Sequence, residues 1–277
     1  MISTEPALSN AEMGHLIAIL TDTDLVNDLI IADIHAPMNQ ISDIYKLIDE
    51  DELVSGWSIF NGYQCPIIVF PPTFPQGWDA IRSCVNDLNF KEIMVVFPKI
   101  VKDNTDELPW EGWDHYEWNY LGTDISMKFE GDVDIYDISN LPKMRGITYE
   151  ERDIVTKFLE QEEKTGDFAG IYHPLQIKSD LYIVAEDNEG TIMGVAGTHY
   201  ETPHSVQLGN IYVKKEYRNQ GIGRALTSAV TLSIRRSHRL ATLFVNENNL
   251  IAQKLYEDIG FEKFNQYDFY KGTLKEI

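Results

Sequence analysis

Apolar residues in the first fifty positions recur at helical spacing: Leu16 and Ile17, Leu20, Leu25, Leu29 and Ile30, then Ile44, Leu47 and Ile48. Pro37 has no amide donor, so it divides this stretch into separate helices. The pattern then changes. Residues 54–60 and 66–70 read as strands with Asn61-Gly62 as the turn between them, and Pro71-Pro72 ends the second. Residues 77–88 read as a helix and 92–97 as a buried strand. Residues 103–112 are acidic and loop-like, with Pro109 among them, and Tyr116, Trp118 and Tyr120 then alternate as strand residues do.

A boundary falls near Phe129-Glu130-Gly131-Asp132, giving domains 1–130 and 131–277. In the second domain 133–138 reads as a first strand. Residues 149–161 read as a first helix with Ile154, Phe158 and Leu159 inward, and 165–177 as a loop-rich stretch. Residues 181–185 and 191–198 read as strands paired around Asn188-Glu189-Gly190. Residues 206–213 and 240–245 are further strands, and 261–264 with 267–270 close the sheet. The order of elements in the first half faintly repeats that of the second.

One stretch carries chemistry. The apolar run Ile211-Tyr212-Val213 leads into a charged turn, Arg218-Asn219-Gln220-Gly221-Ile222-Gly223. A helix follows at once, with Leu226, Val230, Ser233 and Ile234 on one face and Ala225 and Ala229 beside them. Glycines between a strand and a helix N-terminus let the backbone approach a ligand and aim free N–H groups and the positive end of the helix dipole at it. That arrangement suits phosphate without a metal. Downstream, after the strand-like run 240–245, comes Asn249-x-x-Ala252-x-x-Leu255-Tyr256-x-x-x-Gly260-Phe261.

These two blocks, in this order and at this spacing, resemble the GNAT superfamily of N-acetyltransferases over roughly residues 180–272. The first is similar to that family's pyrophosphate loop, the second to the helix that follows it. The resemblance implies a mixed, mostly antiparallel sheet flanked by helices, an α/β (α+β) fold with acetyl-CoA as cosubstrate and no metal. It implies acetyl or acyl transfer from CoA to a primary amine by direct attack in a ternary complex. Arg218, Asn219, Gln220, Gly221, Ile222, Gly223, Arg224 and Ala225 would hold the pyrophosphate. Ile211, Tyr212 and Val213 would offer backbone groups to the pantetheine and thioester, and Asn249 would either cap its helix or bond the pantetheine arm. Tyr256 would bind beside the sulfur and protonate the departing thiolate, since a phenol suits that task. Where the family often carries a glutamate, eleven positions before Arg218, this chain has Gln207, which takes no proton. His173, His199, Glu201 and His204 are the nearby candidates for a base. This departure leaves a second reading open, a CoA-binding sensor or interaction module without catalysis.

The first half resembles a smaller, degenerate copy of the same α/β fold, as in tandem members of the glycine N-acyltransferase type. Its corresponding turn, 71–77, has three prolines and one glycine where phosphate would need N–H donors, so no CoA is expected there. Lys+Arg 23 against Asp+Glu 44 gives a net charge of −21, which disfavours nucleic acid and anionic membrane surfaces as partners. The expected partner is a small-molecule or peptide amine, and the expected state a monomer or homodimer. No apolar run is long enough to span a bilayer, and the first residues lack the basic and apolar regions of a secretory signal, so a cytoplasmic location is expected. Cys65 and Cys84 make no metal or disulfide framework. Trp110, Trp113 and Trp118 read as an aromatic core, and Arg235, Arg236, His238 and Arg239 as cations favoured at a helix C-terminus.

Overall fold

The computed structural model describes residues 2–21, 25, 27–35, 38–99, 108–131, 142–165, 173–177 and 181–276. The expected strand at 133–138, the first half of the loop at 103–112, most of that at 165–177, and the Pro37 break lie outside the described residues. Contacts divide the chain into two compact units, Met1–Asp124 with Asn265–Ile277, and Ile125–Phe264.

The first unit holds strands β1 (Ser3–Pro6), β2 (Ser42–Asp49), β3 (Glu52–Phe60), β4 (Ile67–Val69) and β5 (Glu92–Pro98). It also holds helices α1 (Asn10–Leu20), α2 (Asp28–Ile34) and α3 (Trp78–Leu88). Two long strands, β6 (Tyr116–Phe129) and β12 (Glu262–Leu274), begin in one unit and end in the other. The strand order in the first unit is β1-β2-β3-β4-β5-β12-β6. Residues 42–49 are a strand rather than the expected helix. Leu47 at 0% exposure packs with Trp57 and Ile59 against the sheet's core, and the two-residue turn Glu50-Asp51, both at positive φ, closes a hairpin with β3. In so short a window apolar residues three and four apart fit either period, and strand pairing decided. The tryptophans at 57, 78, 110 and 113 fill the core of this unit with Phe70 and Phe97, and Trp118 packs on its edge. Cys65 and Cys84 are both free thiols.

The second unit adds β7 (Lys143–Gly146), α4 (Arg152–Thr165), β8 (Ile183–Glu186), β9 (Ile192–Glu201), β10 (Ser205–Val213), α5 (Ile222–Arg236), β11 (Leu240–Asn246) and α6 (Leu250–Ile259). Its strand order is β6-β11-β10-β9-β8-β7, with β10 and β11 parallel and β7 to β10 successively antiparallel. Arg145 on β7 bonds both Glu151, at the start of α4, and Glu186 on β8, and holds Glu151 near pKa 2. On α4 the inward residues are Val155, Leu159 and Glu162; Ile154, expected inward, is 54% exposed.

The two orders run in step. Positions β1 to β5 in the first unit correspond to β7 to β11 in the second, with β4–turn–α3–β5 matching β10–turn–α5–β11 in both connection and parallel pairing. The strand beside β5 is β12, and the strand beside β11 is β6. Each sheet is thus completed by the strand that chain order would assign to the other half. The expected division at 130 differs from the observed one for this reason: residues 125–129 belong with the second unit and 265–277 with the first.

Candidate active site

Strand β10 leaves its neighbour part-way along. It pairs in parallel with β11 only from Ser205 to Leu208, against Leu240 to Leu243. Beyond that point, among the described residues, it pairs with β9 alone, and the register slips between Gly209 and Tyr212. Asn210 sits in this bulge at φ 53°. The backbone of Ile211, Tyr212 and Val213 therefore lies where β10 and β11 have stopped pairing. Tyr212 is buried, and its hydroxyl donates to Glu162 Oε2 at 2.7 Å, tying α4 to this stretch. Glu162 is itself buried, 8% exposed. Sequence reasoning missed it, because nothing in a helix pattern announces which polar residue faces a sheet.

The turn after β10 is built as its residues dictate. Asn219 and Gly221 both take left-handed φ, 62° and 81°. Gly221 is the N-cap of α5 and no side chain caps that helix. The Ala225 amide is bonded to Gly221 O, which leaves the amides of Ile222 and Gly223 as the first-turn donors a helix start has in surplus. Gly223 does not owe its identity to packing. A Cβ there would come only within 3.7 Å of Leu255 Cδ1 and Val213 Cγ2, an ordinary contact. The same distances show that the end of β10, the start of α5 and the middle of α6 meet at one point.

The two arginines are engaged in shaping the turn. Arg218 Nε donates to Val213 O at 2.9 Å and its guanidinium lies 5.5 Å from the Tyr212 ring centroid. Arg224 Nη2 donates to Asp258 O at 2.8 Å, on the C-terminal turn of α6. Gln220 and Asn219 are exposed. Asn249 caps α6, accepting from Ala252 N at 3.1 Å, and the next two residues, Leu250 and Ile251, are 70% and 84% exposed. Tyr256 is 8% exposed and packs in the core cluster with Leu208, Leu243 and Phe261. Its hydroxyl has no hydrogen-bond partner among the described residues, and burial pushes its pKa up to about 12.

Of the candidate bases, Glu201 is paired with Arg239 at 2.6 Å. His173 Nδ1 accepts from Leu175 N at 3.2 Å and caps a short helical turn. His199 lies on β9 with its ring against Gly209, where an added Cβ would fall 2.3 Å from His199 Cδ2. It is thus next to the bulge. Arg235 and Arg239 bond Glu130 O and Glu201 and are structural. In the first unit the matching turn spends its groups internally: Phe74 N and Trp78 Nε1 both donate to Pro71 O. Among the described residues no three His, Cys, Asp or Glu side chains cluster as metal ligands would, and no helix is long and apolar enough to cross a membrane.

Residues 178–263 match the family described as an acetyltransferase (GNAT) domain. The chain is 31% identical over 96 residues to the mycothiol acetyltransferase of Salinispora tropica, across 32% of this chain and 31% of that protein. It is 32% identical over 92 residues to a putative [ribosomal protein bS18]-alanine N-acetyltransferase of Bacillus subtilis, across 33% of this chain and 60% of that one. These matches thus cover about a third of the length of the first relative and three fifths of the second. In fold, the whole chain is similar to a tandem GNAT protein from the clavulanic acid biosynthesis pathway, with TM-score 0.67, 12% identity and 100% coverage of both chains.

Proposed function

From the match of residues 178–263 to the acetyltransferase (GNAT) domain, we propose that this protein moves an acetyl group from acetyl-CoA to a primary amine. The observation that carries the reading is the uncapped start of α5 at Gly221, directly after the point where β10 parts from β11. The amides of Ile222 and Gly223, with the rest of the 218–225 turn, would hold the pyrophosphate. Arg218 and Arg224 act by fixing that turn rather than by reaching out of it. The backbone of Ile211 to Val213, released from β11, would bond the pantetheine arm and the thioester oxygen, and Asn249 would keep α6 in place beside it. When bound, the cosubstrate supplies an activated thioester carbonyl.

Tyr256 holds its proton throughout the neutral range, because its pKa is about 12. A thiol's reference value is roughly 8.5, so full proton transfer to the thiolate runs uphill by some units. Tyr256 therefore serves the leaving sulfur first as a hydrogen-bond donor. That is what an unpartnered phenol can do.

Mixing the protein with acetyl-CoA and an amine panel, and following free thiol, tests the reading. Release of CoA that depends on the amine is expected. Tight acetyl-CoA binding with no turnover on any amine would instead favour the second reading, a CoA-binding module, for which Gln207 in place of a carboxylate is the supporting observation.

A further inference from the structure

The face of the second unit's sheet turned away from α5 carries a polar cluster. Val206, Leu208, Ala241 and Leu243 pack in the core that contains α5. The residues between them, Gln207 and Thr242, point to the other face. They are register partners on β10 and β11, so their side chains lie side by side. They are 1% and 4% exposed. Gln207 Nε2 and Thr242 Oγ1 are both buried without a hydrogen-bond partner among the described residues, while Gln207 meets His199 through its other polar atom, Oε1. Adjacent orphaned polar atoms at the end of a ladder are what a polar ligand would satisfy.

His199 adjoins Gln207, and a chain of hydrogen bonds fixes which of its nitrogens carries hydrogen. The Thr198 carbonyl can only accept, so Tyr182 O–H donates to it, at 3.0 Å. The Tyr182 oxygen then accepts from Asn210 Nδ2 at 2.8 Å, which turns Asn210 Oδ1 toward His199 Nε2, 3.1 Å away. Nε2 is therefore the donor, and the lone pair of the neutral ring is on Nδ1. Burial lowers the pKa of His199, and the hydrogen bonds with Asn210 and Gln207 work against that by favouring the charged ring. Those amides are the groups acting on it; no charged side chain contributes.

We propose that this cluster seats the acceptor: His199 Nδ1 takes the amine's proton, while Gln207 and Thr242 hydrogen-bond a neutral oxygen, hydroxyl or amide, carried next to that amine. The proposal rests on the acetyl-transfer reading above. In the step, the amine nitrogen bonds to the thioester carbonyl carbon and the carbon–sulfur bond breaks. The proton lost by nitrogen goes to His199, and the thiolate, held by a hydrogen bond from Tyr256, takes one from solvent. Amino alcohols and α-amino amides fit the seat better than alkylamines or polyamines without oxygen.

The test combines kinetics and nitrogen NMR on the full chain. His199→Gln should lower kcat by about 10²–10⁴-fold with acetyl-CoA affinity nearly unchanged. Asn210→Asp places a carboxylate against the ring and tolerates the left-handed backbone, so the acid limb of kcat/KM should move up by about 1–2 pH units. His204→Gln, at the exposed turn between β9 and β10, should change little. An amino alcohol should exceed an alkylamine of equal length about tenfold per neutral amine, and Thr242→Val should shrink that ratio through KM. In the wild type, NMR should show His199 neutral at pH 7 with hydrogen on Nε2. Hydrogen on Nδ1, an unmoved acid limb, or an equal loss borne by His204→Gln overturns the assignment while turnover persists. Absence of turnover on every amine overturns the acetyl-transfer reading, and the proposal falls with it.

Discussion

Consider a fragment that begins at Gly131, where composition suggests a domain boundary. It would lack residues 125–129, the end of β6. Ile125, Met127 and Phe129 are 6%, 0% and 1% exposed and sit in the same core cluster as Leu208, Leu243, Tyr256 and Phe261. Burying each such side chain contributes roughly 1.5–3 kcal/mol, so the cut removes about 4.5–9 kcal/mol. The whole stability of a domain is typically about 5–15 kcal/mol. The loss also leaves β11 with an unpaired edge, and the fragment keeps residues 265–277, which belong with the first unit's sheet. A fragment of residues 125–264 has neither fault. Calorimetric melting of the two should show a cooperative transition for 125–264 and none for 131–277, and only the first should bind acetyl-CoA. If the 131–277 fragment melts cooperatively within a few degrees of the other, strand β6 does not complete the second sheet and the unit division is mistaken.

Gly223→Ala should leave the fold intact or gain roughly 0.5–1 kcal/mol of helix stability, because a Cβ there meets nothing closer than 3.7 Å, while acetyl-CoA affinity falls; equal affinity by calorimetry would remove the pyrophosphate from this turn. Gly221→Asp should abolish binding outright, and a folded variant with parental affinity would count against the loop assignment. Tyr256→Phe deletes a hydroxyl with no partner, so the melting temperature should hardly move, while the single-turnover rate drops about a hundredfold; a changed melting point with an unchanged rate would make it a packing residue only. Asp33 on α2 is 6% exposed, accepts from Ser58 at 2.6 Å, and burial raises its pKa from 3.8 to about 7. Its folded form holds the proton more tightly than the unfolded one, so its stabilising contribution is full below pH 3.8 and is lost as pH rises through 7, by at most about 4 kcal/mol. Asp33→Asn should flatten the melting temperature between pH 4 and 8; an unchanged pH dependence would show that Asp33 ionises freely.

The glycine turn, the helix after it and the Asn249 to Phe261 block were legible in the sequence because their local rules are strict. A left-handed backbone at Gly221 and a strand-to-helix reversal leave little choice of residue. Residues 42–49 were misread because an eight-residue apolar pattern fits both periods, and pairing with β3 decides it. The exchange of β6 and β12 was invisible for a different reason. Strand partners are long-range, and alternation in residues 116–129 predicts a strand without naming its neighbour. Glu162 escaped for the same reason, since only the packing of α4 on β10 brings its carboxylate to Tyr212.

The placement of His199 and Tyr256 would give the proposed reaction a direction. Tyr256 belongs to the core on the α5 side of the sheet, whereas the hydrogen-bonded chain of His199 on β9, Asn210 on β10 and Tyr182 just before β8 lies with Gln207 on the opposite face. Burial acts on both with opposite consequences, since it disfavours whichever form is charged. It lowers the imidazole, which stays neutral and able to accept a proton, and raises the phenol to about 12, which stays protonated and able to donate. Under the proposed mechanism, two groups displaced in opposite directions on either side of one strand would divide the labour of donor and base. The bulge at Asn210 is the feature that links them: it lies where β10 parts from β11, the place proposed for the thioester, and it aims the amide that faces His199 Nε2. A side-chain carboxylate at position 207 would put a buried charge against that imidazole, raise its pKa and weaken the arrangement. On this argument Gln207 is a consequence of moving the base to β9, and Gln207→Glu should slow the wild-type reaction near neutral pH while leaving His199→Gln little changed or partly rescued.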